Sequence, residues 1–581
     1  MSLDVNLMAL VSKNSMSSKF IIYQLLPRLF GNTTHVNLPN GSIDINGCGK
    51  FNAITAKALK SIQELGVTHV WYTGVIEHAT QTDYSEFGIR KGHSAIVKGK
   101  AGSPYAIKDY YDVDPDLATN VPTRMQEFEA LVERTHKAGM KVLIDFVPNH
   151  VARQYASDAK PAGVADLGEN DNTNHAFNPQ NNFYYIPNQF FAGQFNLLKD
   201  EKAPYHEYPA KASGNDVFSA HPTVSDWYET VKLNYGVDYQ GGHTRHFVPV
   251  PDTWTKMLDI LLFWAGKQID GFRCDMAEMV PVEFWSWVIP KVKEQFPHII
   301  FIAEAYNPAV YRSYIDFGHF DYLYDKVGMY DTLRNITCGN ESARRISVMW
   351  QRVNDILPKM LFFLENHDEQ RIASRFFAGD ARKALPAMIV TATLSTSVVM
   401  VYAGQELGEP AADAEGFSGD DGRTTIFDYW SVDSLRRWYN KGKCGGAHLT
   451  TEQQELRAFY QQLLNVSLQE KAIREGEMFD LMYVNCSNPR FNSDRQFAYL
   501  RKAGDELLLI CVNFADTAAE VAVIIPKHAF DYLGLQENMQ VGAVDLLSGV
   551  VEPEQQFSSE HPYVIKLEKY SGKILKIQES D

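Results

Sequence analysis

IDGFRCDMAEMVPVEFWSWVIPKVKEQFPHIIFIAE, residues 269–304, begins and ends on short apolar runs, and each run finishes in a carboxylate, Asp275 and Glu304. The 29 residues from one carboxylate to the other leave room for a single helical crossover, so the two runs predict adjacent parallel strands. Parallel neighbours end on the same side of a sheet. Both carboxyls are therefore expected at one rim.

Outward from this stretch the same unit recurs. Apolar runs stand at FIIYQLL (20–26), THVWYTGV (68–75), KVLIDFV (141–147), IDGFRCD (269–275), HIIFIAE (298–304), FDYLYD (320–325), KMLFFLEN (359–366) and SVVMVYAG (397–404). Eight near-continuous apolar strands with helices between them predict an α/β fold, a (β/α)8 TIM barrel whose sheet is covered on its outer face. One helix is legible at 253–268, where Leu258, Leu261, Leu262 and Ala265 form an apolar stripe. Between the third strand and that helix lie about 100 residues rich in Asn, Gly, Pro and aromatics, too long for a plain loop. They predict an inserted domain over the barrel mouth. After a helical segment at 451–474 the pattern changes to alternating runs such as QFAYLRK (496–502), ELLLICVNF (506–514) and AEVAVIIP (519–526). These predict a C-terminal antiparallel β-sandwich. The expected division is residues 1–150 and 251–475 for the barrel, 151–250 for the insertion and 476–581 for the sandwich.

Composition agrees with such a chain. Of 581 residues, 45% are apolar and 22% charged, the balance of an ordinary globular protein with more than one core. Net charge is −16 without a long basic run, so nucleic acid is a poor partner, since its binding rests on Lys and Arg neutralising phosphates. Six scattered cysteines form no CxxC pair and are expected to be reduced. The apolar stretch 387–403 carries Thr and Ser and is too short to span a bilayer, which excludes a membrane partner on this reading. Residues 1–20 contain no secretory signal pattern, which favours a cytoplasmic location, or an exported one where a leader has been trimmed. Nothing in the sequence fixes an oligomeric state.

In such a barrel the reactive groups belong where strands end. Four strand ends are rich in polar and ionisable residues: DFVPNH (145–150), GFRCDMAEM (271–279), AEAYN (303–307) and ENHDEQR (365–371). Arg273, two residues before Asp275, projects to the same side and would orient the carboxylate and keep it ionised. Asp368 adds a third carboxylate able to accept hydrogen bonds from hydroxyls, and His150 and His367 add directional donors. A lone strand-end Asp or Asn is more often a cap or turn residue, and Asn149 and Asn366 fit that role. The combination at the ends of strands three, four, five and seven is what carries the functional reading.

Those four segments resemble, in order, the signature regions of the α-amylase superfamily, glycoside hydrolase family 13. IYQLLPRLFG (22–31) and GSPYAIKDYYDVDP (102–115) resemble its first strand and second βα loop, and KLNYG (232–236) is a looser match to its fifth region. The resemblance implies a retaining hydrolase of α-glucans or malto-oligosaccharides, with Asp275 as nucleophile, Glu304 as acid/base and Asp368 as transition-state stabiliser. It implies that Tyr105, Arg273, His150 and His367 bind the reacting sugar. No cofactor is required for that chemistry. A structural calcium is implied at Asn149, and Asp166, Glu169 and Asp171 offer hard oxygen ligands nearby. Glu278 and Met279 stand where many members carry Lys-His, and are expected on the acceptor side. In the insertion, 178–191 with Tyr184 and Tyr185 is expected to form a wall of the cleft. A transglycosylase or isomerase would use the same residues, and a non-catalytic glucan-binding protein would have lost one of the three carboxylates.

Overall fold

The structure is a computed structural model that describes residues 19–193, 203–417 and 419–579. Eight parallel strands close a barrel: β1 (Ile21–Leu25), β2 (His69–Tyr72), β3 (Lys141–Phe146), β4 (Gly271–Cys274), β5 (Ile300–Ala303), β6 (Tyr322–Tyr324), β7 (Met360–Phe363) and β8 (Val398–Tyr402). Each pairs with its neighbour in sequence, and β1 closes on β8 through Ile21 opposite Val399. All eight lie within the runs expected from the sequence.

Alternation along these strands sorts the side chains. Ile22, Trp71, Leu143, Ile302, Tyr324, Leu361, Phe363 and Met400 fill the barrel interior as one buried cluster. Their neighbours, such as Tyr23, Phe272 and Phe362, face the helical ring and join the large outer core. Gly271 opens β4 where a Cβ would meet Ile300 Cγ1 at 2.5 Å, so the strand admits no larger residue there.

The helix expected at 253–268 runs Asp252–Ala265. Its buried face is Trp254, Met257, Ile260, Leu261 and Trp264, while Leu258 and Leu262 are only half-buried, so the expected stripe is rotated by part of a turn. Two tryptophans bury more surface than two leucines and set the facing. The stretch 387–403 is split between the helix Leu385–Thr393 and β8 inside the fold. No helix among the described residues is long and apolar enough to cross a membrane.

Between β3 and Asp252–Ala265 the chain forms short antiparallel pairs, His150–Ala152 with Thr230–Lys232 and Tyr185–Ile186 with Ala210–Lys211. A small core of Ile186, Phe191, Tyr205, Ala210 and Ala220 packs against Ala95 and Ile96 from the segment after β2. The C-terminal part is a six-stranded antiparallel sheet with a second pair, Ala519–Val523 with Tyr563–Leu567. The reading of residues 1–20 as lacking a leader falls almost wholly outside the described residues. The six cysteines carry no disulfide; Cys274, Cys444 and Cys511 are buried and Cys486 is exposed.

Candidate active site

At the carboxyl ends of the strands a cavity of about 380 Å³ opens, near the lower limit of ordinary small-molecule pockets. Asp275, Glu304, Asp368, Tyr105 and His150 line it. Arg273 and His367 lie just beneath and bond to the lining residues. All seven residues named from the sequence thus meet at one place.

Backbone hydrogen bonds hold the two strand ends. Asp275 N–H donates to Phe146 O at 2.8 Å, and Glu304 N–H to Cys274 O at 3.0 Å, so the ladder continues to the residues that carry the carboxyls. Arg273 then binds both side chains. Its Nη1 donates to Asp275 Oδ1 at 2.7 Å, and its Nη2 lies 2.7 Å from Glu304 Oε1. Asp145 Oδ1 is 3.6 Å away from Nη1. The guanidinium is 1% exposed, with the rings of Trp71, Tyr105 and Tyr324 at 5.1, 5.5 and 5.5 Å. Three carboxylates around one buried cation is an arrangement no apolar core would select, because each ion must be desolvated.

Glu304 is fixed further by two residues that were not singled out from the sequence. The Tyr306 hydroxyl donates to Oε1 at 2.5 Å, and the Met276 N–H donates to Oε2 at 2.7 Å. Met276 holds φ 44°, a left-handed conformation that costs a non-glycine residue energy. Tyr306 stood in plain view two residues past Glu304, within AEAYN.

Asp368 lies 3.0 Å from His367 Nε2, and that ring nitrogen is 2.6 Å from the Tyr105 hydroxyl. Tyr105 and His367 stack at 5.1 Å, and Gln24 holds the other ring nitrogen at 2.7 Å. Asn366 Oδ1 accepts from the N–H groups of Asp368 and Glu369, so it holds the loop.

The electrostatics differ between the carboxyls. Burial and the neighbouring Glu304 push Asp275 well above the usual carboxylate range, against the pull of Arg273. Burial also opposes the charge on Asp368, but His367, Arg273 and Arg423 hold it below its ordinary value. His150 is pushed down to about 3, by burial first and by Lys232 and Lys98, and so is neutral.

Some expected wall residues are elsewhere. Tyr184 and Tyr185 are buried within the insertion, bonded to Val237 O and Asp171, and do not line the cavity. Trp227, Glu229 and Thr230 of the same insertion line it instead. Glu229 pairs with Lys98 at 2.8 Å, and Trp227 lies 5.1 Å from the His150 ring. Met276, rather than Glu278 or Met279, faces the cavity; Glu278 accepts from Asn307 N–H.

The implied calcium ligands do not converge. Asn149 Oδ1 accepts from Lys232 Nζ at 2.5 Å, while Asp171 is filled by the N–H groups of Asn182 and Phe183 and by Tyr185. Glu169 is bound to Lys160. Among the described residues no group of three or more His, Cys, Asp or Glu could hold a metal. These residues do not fit a bound cation.

A closed eight-stranded barrel with carboxylates gathered around a buried cation at its carboxyl rim has the architecture of a TIM-barrel enzyme. The Alpha amylase, catalytic domain family matches residues 24–480, and the chain belongs to that family of glycoside hydrolases. Maltase 1 of Drosophila virilis is 21% identical over 96% of this chain and 86% of its own length. Alpha-amylase MalA of Haloarcula japonica is 24% identical over 62% of this chain. The chain covers 41% of MalA and 57% of Neopullulanase 2 from Thermoactinomyces vulgaris. The Geobacillus thermoleovorans α-amylase, solved with acarbose, superposes with a TM-score of 0.62 at 17% identity, over 97% of this chain and 99% of its own. That likeness is one of fold.

Proposed function

We propose that the chain is a retaining glycosidase acting on the α-glucosidic linkages of starch-like glucans, with short malto-oligosaccharides as its best substrates. The observation that carries the reading is the single Arg273 guanidinium touching both Asp275 and Glu304. Two carboxyls held by one guanidinium support double displacement, which uses a carboxyl spacing of about 5–5.5 Å.

Asp275 attacks the anomeric carbon as Glu304 gives its proton to the glycosidic oxygen, so the C–O bond breaks and a glycosyl ester forms on Asp275. Glu304, now ionised, takes a proton from water, and that water's oxygen displaces Asp275 from the opposite face. Two inversions leave the α configuration. Asp368, ionised and held by His367, accepts hydrogen bonds from sugar hydroxyls that strengthen as the ring flattens. The names of the relatives, a maltase and a neopullulanase among them, support α-glucans as the substrate class. The small cavity and the Lys98–Glu229 wall support short chains.

The test is the anomeric form of the first product by NMR, together with azide rescue. Wild type is expected to release the α anomer. Asp275→Ala should lose several orders of magnitude of turnover, with azide restoring some of it as an inverted glycosyl azide. Glu304→Ala should spare an activated leaving group and give a retained azide. An inverted first product in wild type overturns the mechanism.

A further inference from the structure

The joint between the insertion and the barrel mouth is held by an ammonium group. Lys232 ends the strand Thr230–Lys232 and pairs in register with His150. Its side chain is 2% exposed. Nζ donates to Asn149 Oδ1 at 2.5 Å, lies 2.7 Å from Asp216 Oδ1 and reaches Met279 O at 3.4 Å. The Tyr239 ring closes one side at 5.2 Å. Asn149 follows β3, Asp216 belongs to the insertion, and Met279 lies four residues past Asp275. One cation thus ties together three segments that border the cavity.

Those partners are a side-chain amide oxygen, a carboxylate and a main-chain carbonyl, the hard oxygens that calcium takes in sets of six to eight. Here they surround a monovalent cation carried by the chain itself. The second cluster of oxygens in the insertion follows the same plan. Lys256 Nζ bonds Asp166 O at 2.8 Å and Asn182 Oδ1 at 2.9 Å, and pairs with Asp252 at 2.8 Å. The Asp166 carboxylate is taken by the N–H groups of Ser157 and Leu167. A divalent ion at either place would sit against a fixed positive charge and find its ligands occupied.

We infer that Lys232 is a built-in replacement for a structural calcium: its ammonium holds Asn149, Asp216 and the Met279 carbonyl together, and the joint needs no divalent ion. Lys232 is then a positioning residue, acting on the cavity through Asn149 and the loop after Asp275. This follows from the oxygens around one nitrogen and does not depend on the reaction proposed above.

The experiment compares melting temperature and calcium binding by calorimetry for wild type, Lys232→Ala and Lys232→Met, each after EDTA dialysis and again with excess calcium chloride. Wild type should bind no calcium and keep one melting temperature throughout. Lys232→Met, which retains the stem but loses the charge, should melt lower and be indifferent to calcium. Lys232→Ala leaves three oxygens around an open space. It should melt lower in EDTA and regain part of the loss as it binds calcium, a response that simple loss of packing would not give. The inference is overturned if EDTA lowers the wild-type melting temperature and calcium restores it, if wild type binds calcium stoichiometrically, or if Lys232→Met melts as wild type does. The wild-type measurement decides the matter even where neither variant folds.

Discussion

Arg273 and Arg501 are both almost fully buried, and they are buried for opposite reasons. Arg273, in the barrel mouth, faces Asp275, Glu304 and Asp145. Arg501, between the barrel and the C-terminal sheet, faces no carboxylate; its donors go to the carbonyls of Leu394, Ala472, Ile473 and Gly476 at 2.8–3.1 Å. Burial works against both charges. At Arg273 it is outweighed by Glu304 and the other groups around it, which raise the pKa, whereas at Arg501 it wins and pushes the pKa down to about 10. Leu394 caps the helix Leu385–Thr393, and Ala472 and Ile473 lie in the helix Lys471–Arg474, so Arg501 satisfies the open carbonyls of two helix ends. One arginine organises charges that only chemistry calls for. The other closes hydrogen bonds that folding requires.

The largest expected difference is in turnover. Arg273→Lys keeps the charge but loses the planar fork that reaches two carboxyls at once, and kcat/KM on maltotriose should fall by about 10²–10³-fold. Arg501→Lys should leave kcat/KM nearly unchanged. Comparable losses in the two variants would mean that the mouth and the domain seam are not functionally distinct.

Stability should show the reverse order. Arg501→Met strands four carbonyls, three of them buried, and should cost on the order of 3 kcal/mol, read as a fall in the melting temperature. Activity per folded molecule should persist. If Arg501→Met melts as wild type does, the carbonyls have found other partners and Arg501 is not what joins the sheet to the barrel.

These two sites also mark what a sequence discloses. The eight strands were legible because alternation and apolar runs report local backbone geometry, and the strand-end carboxylates because four clusters recur at matching places. Arg501 left no mark, since its partners are carbonyls and any residue supplies one. The same limit hid the Lys98–Glu229 pair, whose members are 131 residues apart, and it sent the expected cavity wall to Tyr184 and Tyr185 instead of Trp227. The tyrosine stretch is aromatic because it packs the insertion down, Tyr185 against the main core and Tyr184 against Phe218 and Tyr239. Tyr306 was within reach, as it lies on the quoted segment beside Glu304.

A smaller effect is expected at that wall. Glu229→Gln removes the charge that holds Lys98 in the cavity wall, at side-chain exposures of 6% and 14%. Products from maltoheptaose should shift in length, while hydrolysis of a small aryl α-glucoside should change little. Equal changes in both would place the pair at the reacting sugar itself.

The smallest effect is a shift along the pH axis, and it tests the mouth from within. In the proposed mechanism Asp275 attacks as its ionised form, and in the folded protein burial and the Glu304 carboxyl raise its pKa well above the usual range, with Arg273 opposing them. A raised carboxyl loses its reactive form as pH falls through the folded value. The acid limb of kcat/KM should therefore lie above the ordinary carboxylate pKa of about 4. Glu304→Gln removes the like charge while keeping the shape, so the limb measured with an activated aryl glucoside should move to lower pH. Arg273 would then act on Asp275 with less opposition. The same shift has a stability consequence of fixed sign: the folded state holds the Asp275 proton more tightly than the unfolded chain does. Its stabilisation is present at acid pH and is lost as pH rises from the ordinary carboxylate value through the raised one. Asp275→Asn should accordingly flatten the pH dependence of the melting temperature over that window. A limb that stays in place or moves upward in Glu304→Gln would show that the two carboxyls do not share the field of one guanidinium, and the contrast between the two arginines would lose its basis.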